Sequence, residues 1–459
     1  DFVVGVKLST GHLLSRIGSC LSLGTTIDKL SLFRSTLFFS TFGEMRDILD
    51  RSTLVTVDGV SSAVIRWGGG GSMLDARTIS LVRTGFKSVV AAQDGPARLS
   101  RSFYGHLFAE HPDFRALFPA SMDALREHFV MALGYVFEHL DDPDRVEPFL
   151  EQLGRDHRKH GISGAHFRAG SSALISAFRT FAGNEVWTDE VETAWNDALT
   201  VVSNAMAVAA DNDELPPFWS ATVVEHHRLL DDLAVVRLKT DGEIPYFPGQ
   251  YVSVQIPQRP KLWRYLSPAI PSNPYGEIEF HVRRVSGGWV SPAMVTETAV
   301  GDRWSISPPL GGMHVDRAIR EDVLMIAGGT GLAPLRAQVM EMAQRSNNPR
   351  VHLFVSGTYP CDLYDLDTLW QLSLSNPWLT VVPVTEELEN PWWFSGTPRE
   401  LPWGMHHRLH GAVGKVVTQF GSWADRQIQI CGSPSMVRTT SYALRKVGTP
   451  MEHIQHDPF

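Results

Sequence analysis

Residues 327–334 read Ala-Gly-Gly-Thr-Gly-Leu-Ala-Pro and follow directly on the apolar run Val323-Leu324-Met325-Ile326. A buried strand, a glycine turn and a helix expected over residues 335–345 together make an anion site. Glycines let the backbone approach a ligand closely, and the free N–H groups at the helix start point at phosphate. Many strand–glycine–helix joints look like this, so the flanking sequence has to decide. Downstream, the stretches 351–355, 379–384 and 428–431 are largely apolar and alternate with helical patterns, as the buried strands of a parallel sheet do. Residues 318–459 are therefore expected to form a doubly wound α/β domain.

Upstream the hydrophobic period changes twice. Stretches 222–240, 251–257, 277–285 and 303–307 alternate with period two, as a small antiparallel β-barrel over residues 213–317 would. Ahead of them, Asp211-Asn212-Asp213-Glu214-Leu215-Pro216-Pro217 is a polar, proline-ended linker. From 73 to 212 apolar residues recur at helical spacing, in Ile79-Val82-Phe86-Val90, Phe103-Leu107-Phe108, Phe129-Leu133-Val136-Phe137 and Leu174-Ile175-Phe178. Asp141-Asp142-Pro143-Asp144 separates two helices, and Thr188-Asp189-Glu190 opens the last one. The order is all-α, then antiparallel β, then α/β.

Residues 1–72 differ from the rest. They begin with Asp, show no clean helix or strand period, and end in Gly68-Gly69-Gly70-Gly71-Ser72. They read either as a targeting or regulatory extension or as residues translated from too early a start, and they are given no part in the chemistry.

Composition narrows the class. At 459 residues the chain has room for about three domains of ~150 residues each. A net charge of −9 disfavours nucleic acid or an acidic membrane surface as a partner. The three cysteines, Cys20, Cys361 and Cys431, lack metal-ligand spacing, which fits a reducing cytoplasm. No apolar run reaches the ~18 residues that a membrane span needs.

Over residues 218–459 the motifs resemble those of ferredoxin-reductase-like flavoenzymes. Pro248-Gly249-Gln250-Tyr251 is similar to the strand start that precedes the flavin site, and Arg264-Tyr265-Leu266-Ser267 to the family's Arg-x-Tyr-Ser motif. The resemblance implies that Arg264 contacts the FAD pyrophosphate while Tyr265 and Ser267 contact the flavin, although Leu266 occupies the family's tyrosine position. Gly287-Gly288-Trp289-Val290-Ser291 resembles the Gly-Gly-x-x-Ser phosphate turn. By the same resemblance Gly328, Gly329, Thr330, Gly331 and Pro334 hold NAD, Cys431 and Gly432 lie near nicotinamide, and the aromatic ring of Phe459 stacks on the flavin. The loop Ser356-Gly357-Thr358-Tyr359-Pro360-Cys361-Asp362 has no Arg or Lys for a 2′-phosphate, which favours NADH over NADPH.

Residues 73–212 resemble a globin, and a globin ahead of this reductase is the architecture of flavohaemoglobins, here of a divergent second type. The resemblance rests on the segment from Phe103-Tyr104 through Pro112 to Phe118, and on Leu153-Gly154-Arg155-Asp156-His157-Arg158-Lys159-His160-Gly161. It implies haem b with His157 as the iron ligand, His160 being the local rival. It also implies Tyr104 as the distal hydrogen-bond donor and Phe118 as the ring wedging the haem. Leu125 stands where the family has a distal glutamine, with His128 three residues on. Phe167 stands where the family has a proximal tyrosine, and residues 208–212 offer no glutamate to support the iron-bound histidine.

The function so implied is an NAD(P)H-dependent flavohaem oxidoreductase, foremost a nitric oxide dioxygenase turning NO and O2 into nitrate. It would work with small gaseous substrates, without nucleic acid or an integral membrane partner, as a monomer with a dimer left open. Two alternatives remain. One is a flavohaem dehydrogenase or oxidase taking electrons from an organic acid such as lactate, and the other a haem-based oxygen or redox sensor.

Overall fold

The computed structural model describes residues 64–67 and 72–457, apart from 184, 317 and 397–400. Phe459 and most of the N-terminal extension lie outside the described residues. β1 (Val64–Trp67), in the extension, pairs antiparallel with β2 (Ser72–Asp75), so the helical pattern expected from residue 73 starts only at Ala76. A four-residue strand is too short to display a period and leaves no mark in the sequence.

Six helices follow: α1 (Ala76–Ala91), α2 (Gly95–Glu110), α3 (Asp123–Glu138), α4 (Pro143–His157), α5 (Gly164–Ala182) and α6 (Asp189–Asp211). Their starts are encoded locally. The Asp75 carboxylate accepts from the Thr78 amide at 2.6 Å, Thr188 Oγ1 accepts from the Val191 amide at 3.3 Å, and prolines open α2 and α4 where no N–H is needed. Their apolar stripes meet in one core, in which Phe178 stacks on Trp195 at 3.9 Å and Phe137 meets Trp195 edge-on at 5.1 Å. Helix α4 crosses α6 at Gly154, where a Cβ would stand 2.2 Å from the Met206 carbonyl oxygen. Only glycine permits that approach, and it fixes the helix that ends at His157.

The second domain is a six-stranded antiparallel sheet of β3 (Trp219–Leu230), β4 (Leu233–Thr240), β5 (Val252–Gln255), β6 (Arg264–Leu266), β7 (Glu277–Arg283) and β8 (Arg303–Ile306). Its order is β6-β5-β8-β3-β4-β7. The edges return toward each other just past β6, where Pro268 bridges Phe280 and the Ala269 amide donates to Glu279 O at 2.8 Å. A short helix, α7 (Val290–Thr296), packs its apolar side into this near-barrel.

The third domain is an all-parallel sheet of order β12-β11-β10-β9-β13-β14, made of β9 (Val323–Gly328), β10 (Val351–Gly357), β11 (Leu379–Thr385), β12 (Leu409–His410), β13 (Gln427–Cys431) and β14 (Ile454–Gln455). The chain runs outward from β9 through β12, then crosses back to β13, so the topological switch point lies between β9 and β13. The helix after β9, α8 (Leu332–Met342), starts earlier than expected because the Gly329–Gly331 turn is itself a 3₁₀ turn that runs straight into it. Pro334 sits in its first turn, where a missing N–H is harmless.

A buried ionic network joins the last two domains. Arg336 of α8 donates to Ala269 O at 2.7 Å and to Glu279 Oε1 at 2.8 Å, and its Nε lies 2.8 Å from Asp365 Oδ2. The Glu279 carboxylate takes a further bond from Arg237 at 2.6 Å, and these cations with His281 hold its pKa down at about 2 despite burial. The Gly329–Gly331 turn is thereby tied, through α8, to β7 of the preceding domain.

Candidate functional site

The haem end is built from the end of α4 and the face of α2. His157 Nδ1–H donates to Leu153 O, one turn back, at 2.6 Å, which leaves Nε2 as the nitrogen for a metal. Burial lowers the imidazole pKa, favouring the neutral form that ligation requires. His157 as a residue is half-buried. Phe167 meets it edge-on at 5.6 Å, in the place where a tyrosine could have donated. The support that sequence could not locate is therefore a backbone carbonyl. The rival, His160, instead faces Trp263 of the barrel at 6.0 Å.

Tyr104 is buried in α2 among aromatic rings, with Phe103 at 4.8 Å, Phe118 at 5.6 Å, Phe129 at 5.7 Å and Phe108 at 5.9 Å. Burial pushes its phenol well above the ordinary range, so it stays protonated and can only donate or accept as a neutral group. Its hydroxyl has no hydrogen-bond partner among the described residues, although a buried phenol normally finds one. That orphaned group, together with the available His157 Nε2, fits a ligand-binding haem. Leu125 and His128 lie one turn apart on α3, both half-buried, with Leu125 packed on the globin core.

At the flavin end the motifs converge on β5, β6 and the turn before α7. Arg264 is half-buried, and the one hydrogen bond of its guanidinium among the described residues is to Trp263 O at 2.7 Å. No carboxylate pairs with it among the described residues, and burial lowers its pKa to about 10. An unpaired cation held in that way calls for an anion, as the FAD pyrophosphate would provide. Gly287 takes φ +73° at the tip of the phosphate turn, and the Val285 amide donates to Ser291 Oγ at 3.0 Å across its base. Gly288 donates its amide to Val285 O, and the Val290 side chain is buried in the barrel, leaving only backbone for a ligand. Gln250 spends both ends of its amide inside the fold, accepting from Phe247 N at 2.8 Å and donating to Gly311 O at 2.9 Å, so it shapes the strand start instead of facing a ligand.

Strand alternation separates the residues of the second motif. Across β5, Arg264 pairs with Val254 and Leu266 with Val252, both core residues, while Tyr265 pairs with Ser253 on the other face. The Tyr265 ring meets Tyr251 edge-on at 5.2 Å. Ser267, half-buried, follows the strand at once.

The glycine turn opens at the switch point, and neighbouring backbone shapes it tightly. A Cβ on Gly331 would lie 2.3 Å from Cys431 O and 2.6 Å from Gly432 N, and one on Gly432 would touch Met436 Sδ at 3.0 Å. Gly329 adopts φ +56°. The strand ends at Gly328 and Cys431 thus stand side by side, with Thr330 in the turn between them and α8, and with Pro334 buried in α8. Cys431 is buried, 3.6 Å from Met313 Sδ, and its thiol is pushed well up by burial and by Asp457.

Two residues here were missed by sequence reasoning. Arg283 of β7 is clamped by Asp232 at 2.9 Å and by Asp362 at 2.5 Å, with its Nη1 reaching the Gly329 turn, 3.8 Å from where a Cβ would stand. The cation at the turn therefore comes from the other domain. Asp457 lies 3.0 Å from where a Cβ on Gly311 would stand, and burial raises its carboxyl to about 7. Neither residue sits in a local pattern, because the partners of each are far away in sequence.

Comparison with known proteins agrees with this division. Residues 101–206 match the globin family, 220–315 the oxidoreductase FAD-binding domain and 325–442 the oxidoreductase NAD-binding domain. The chain is 30% identical over 240 residues to the ferredoxin–NAD(P)+ reductase component of naphthalene 1,2-dioxygenase/salicylate 5-hydroxylase systems from a Ralstonia species, covering 52% of this chain and 68% of that one. It is 26% identical over 302 residues to a flavohemoprotein of Bordetella parapertussis, covering 61% and 74% respectively. The fold matches that of a flavohemoglobin from Malassezia yamatoensis with bound FAD and heme, with a TM-score of 0.61 at 14% identity, over 83% of this chain and 98% of the other. The chain thus spans about two thirds to three quarters of the length of these curated relatives.

Proposed function

Because the chain belongs to the ferredoxin–NAD(P)+ reductase-like oxidoreductases and carries that module behind a globin, in the flavohaemoglobin arrangement, we propose that it is a nitric oxide dioxygenase driven by NADH. At the coarser level it is a haem- and flavin-containing NAD(P)H oxidoreductase, with haem, FAD and NAD(H) as its cofactors. When bound, FAD accepts hydride and releases electrons singly, while haem supplies the iron at which O2 and NO react.

The residues divide the work. The glycine turn and Arg283 hold the dinucleotide phosphates at the switch point, and the close stacking of Gly331 on Cys431 keeps the nicotinamide end near the flavin face. Asp362 has both oxygens committed, to Arg283 and to the Tyr359 amide at 2.9 Å, and the loop 356–362 itself carries no Arg or Lys to receive a 2′-phosphate. That supports NADH as donor. Arg264 and Ser267 seat the flavin, and the Gly287 turn takes phosphate oxygens on backbone amides other than that of Gly288, which is committed to Val285 O. His157 presents Nε2 to iron because Leu153 O fixes the proton on Nδ1.

The observation that carries the dioxygenase reading is Tyr104. A phenol kept protonated by burial, its hydroxyl unpartnered among aromatic rings, is suited to stabilising partial negative charge on a small ligand. The test is NO consumption by the full-length holoprotein with NADH and air. Nitrate formation at one NO per electron supports the reading. NADH oxidation that is indifferent to NO would replace it with an oxidase.

A further inference from the structure

Lys159 follows His157 by two residues, in the 3₁₀ turn Arg158–His160, and its side chain is only 3% exposed. Lysine is almost never buried to that degree unless it is paired. Its ammonium donates to Asp156 Oδ1 at 2.6 Å, at the end of α4, and to Ser253 Oγ at 2.8 Å on β5 of the flavin barrel. Ser253 is itself buried and bonded to Ser307 Oγ of the barrel at 2.9 Å. The same ammonium lies 5.5 Å from the Trp263 ring and 5.8 Å from the Tyr265 ring, within cation–π range of the strand that carries the flavin motif. One charged group from the haem domain is thus inserted into the flavin domain, with its counter-ion and hydroxyl acceptor both in place.

Other polar contacts near this junction are of a different kind. Lys261 is exposed and reaches Ala116 O, while Arg158, largely buried with Asp213, binds the linker and not the barrel, through Asp213 at 2.5 Å and Leu215 O at 2.7 Å. An exposed contact such as that of Lys261 contributes little and adapts easily, whereas a buried, hydrogen-bonded ammonium accepts only one geometry.

We propose that Lys159 is the positioning residue that locks the haem-bearing end of α4 onto the flavin barrel, fixing the separation of the two redox groups. The proposal rests on the reading of His157 and the Arg264 strand as the haem and flavin seats. It makes Lys159 necessary for electron passage between domains and unnecessary for hydride entry.

The test uses full-length protein carrying both cofactors, mixed anaerobically with NADH under carbon monoxide, with flavin bleaching and haem reduction followed separately. Lys159→Met should leave flavin bleaching at the wild-type rate and slow haem reduction roughly a hundredfold, because the two redox groups are no longer held in one fixed geometry. Ser253→Ala, which keeps the charge and the pair with Asp156, should slow haem reduction less, by about tenfold, and Lys159→Arg should restore part of the rate. In parallel, cleavage at the exposed linker residue Glu214 by a Glu-specific protease should quicken in Lys159→Met and Ser253→Ala. If Lys159→Met does not load its cofactors, Ser253→Ala decides. Haem reduction and linker cleavage at wild-type rates in Ser253→Ala would overturn the proposal. If NADH fails to bleach the flavin even in the wild type, the donor reading fails, and linker cleavage alone still decides the role of Lys159.

Discussion

His157 Nδ1 stands 2.6 Å from the carbonyl oxygen of Leu153, so the imidazole proton is committed to its own helix and not to a carboxylate. A carbonyl orients the ring as well as a carboxylate does but carries no full charge, and so donates less electron density to the metal. His157→Ala removes the only ligand proposed for iron. We expect it to purify with flavin and without the haem Soret band, NADH still bleaching the flavin. A variant that retains a full complement of haem would assign the iron to another residue.

Tyr104→Phe deletes a hydroxyl that no described residue uses, so the fold should be unaffected and the melting temperature unchanged. Losing one hydrogen bond to a partly charged ligand costs about 2 kcal/mol, or roughly thirtyfold faster O2 dissociation. Laser photolysis of the reduced protein with O2 and CO measures it. An unchanged dissociation rate would remove Tyr104 from the ligand pocket.

Arg264 is a half-buried cation that waits for an anion. Arg264→Gln removes one charge-assisted contact to pyrophosphate, so FAD should bind about 2 kcal/mol more weakly, on the order of thirtyfold in Kd. Titration of the flavin-stripped protein with FAD, followed by quenching of flavin fluorescence, gives the value. Equal affinity would place the pyrophosphate elsewhere.

Asp457 gives the protein a pH dependence near neutrality. Its folded pKa of about 7 is above the ordinary 3.8, so the folded state favours the protonated carboxyl. The stability this contributes is complete below pH 3.8 and is lost as pH rises through about 7. Asp457→Asn should therefore abolish a fall in stability between those values, visible in denaturant unfolding at a series of pH values. Identical pH profiles for both proteins would show that Asp457 ionises normally.

Much of this site was legible because it is local. The glycine turn after Val323-Leu324-Met325-Ile326, the Gly287-Gly288 turn and the helix ending at His157 each declare themselves within about ten residues, since close backbone approach and helical period are short-range demands. What stayed hidden is contact between distant segments. Lys159 finds Ser253, Arg283 finds the Gly329 turn and Asp457 finds Gly311 only after three domains have packed. Gln250 was identified by its motif position, and packing uses both ends of its side-chain amide to shape the strand start. The offset tyrosine shows both effects, since the motif puts Tyr265 beside Arg264 while strand alternation turns it to the face shared with Ser253.

The central claim is that electrons enter from NADH, pass through FAD and reach haem iron within one chain. An anaerobic optical titration of the purified holoprotein with NADH under carbon monoxide tests it most directly. The account predicts bleaching of the flavin band and growth of the carbonyl haem spectrum, with about three electrons (one and a half NADH) taken up per chain that carries one FAD and one haem. An unchanged spectrum in protein loaded with both cofactors would contradict it, and bleaching by an organic acid such as lactate under the same conditions would name a different donor.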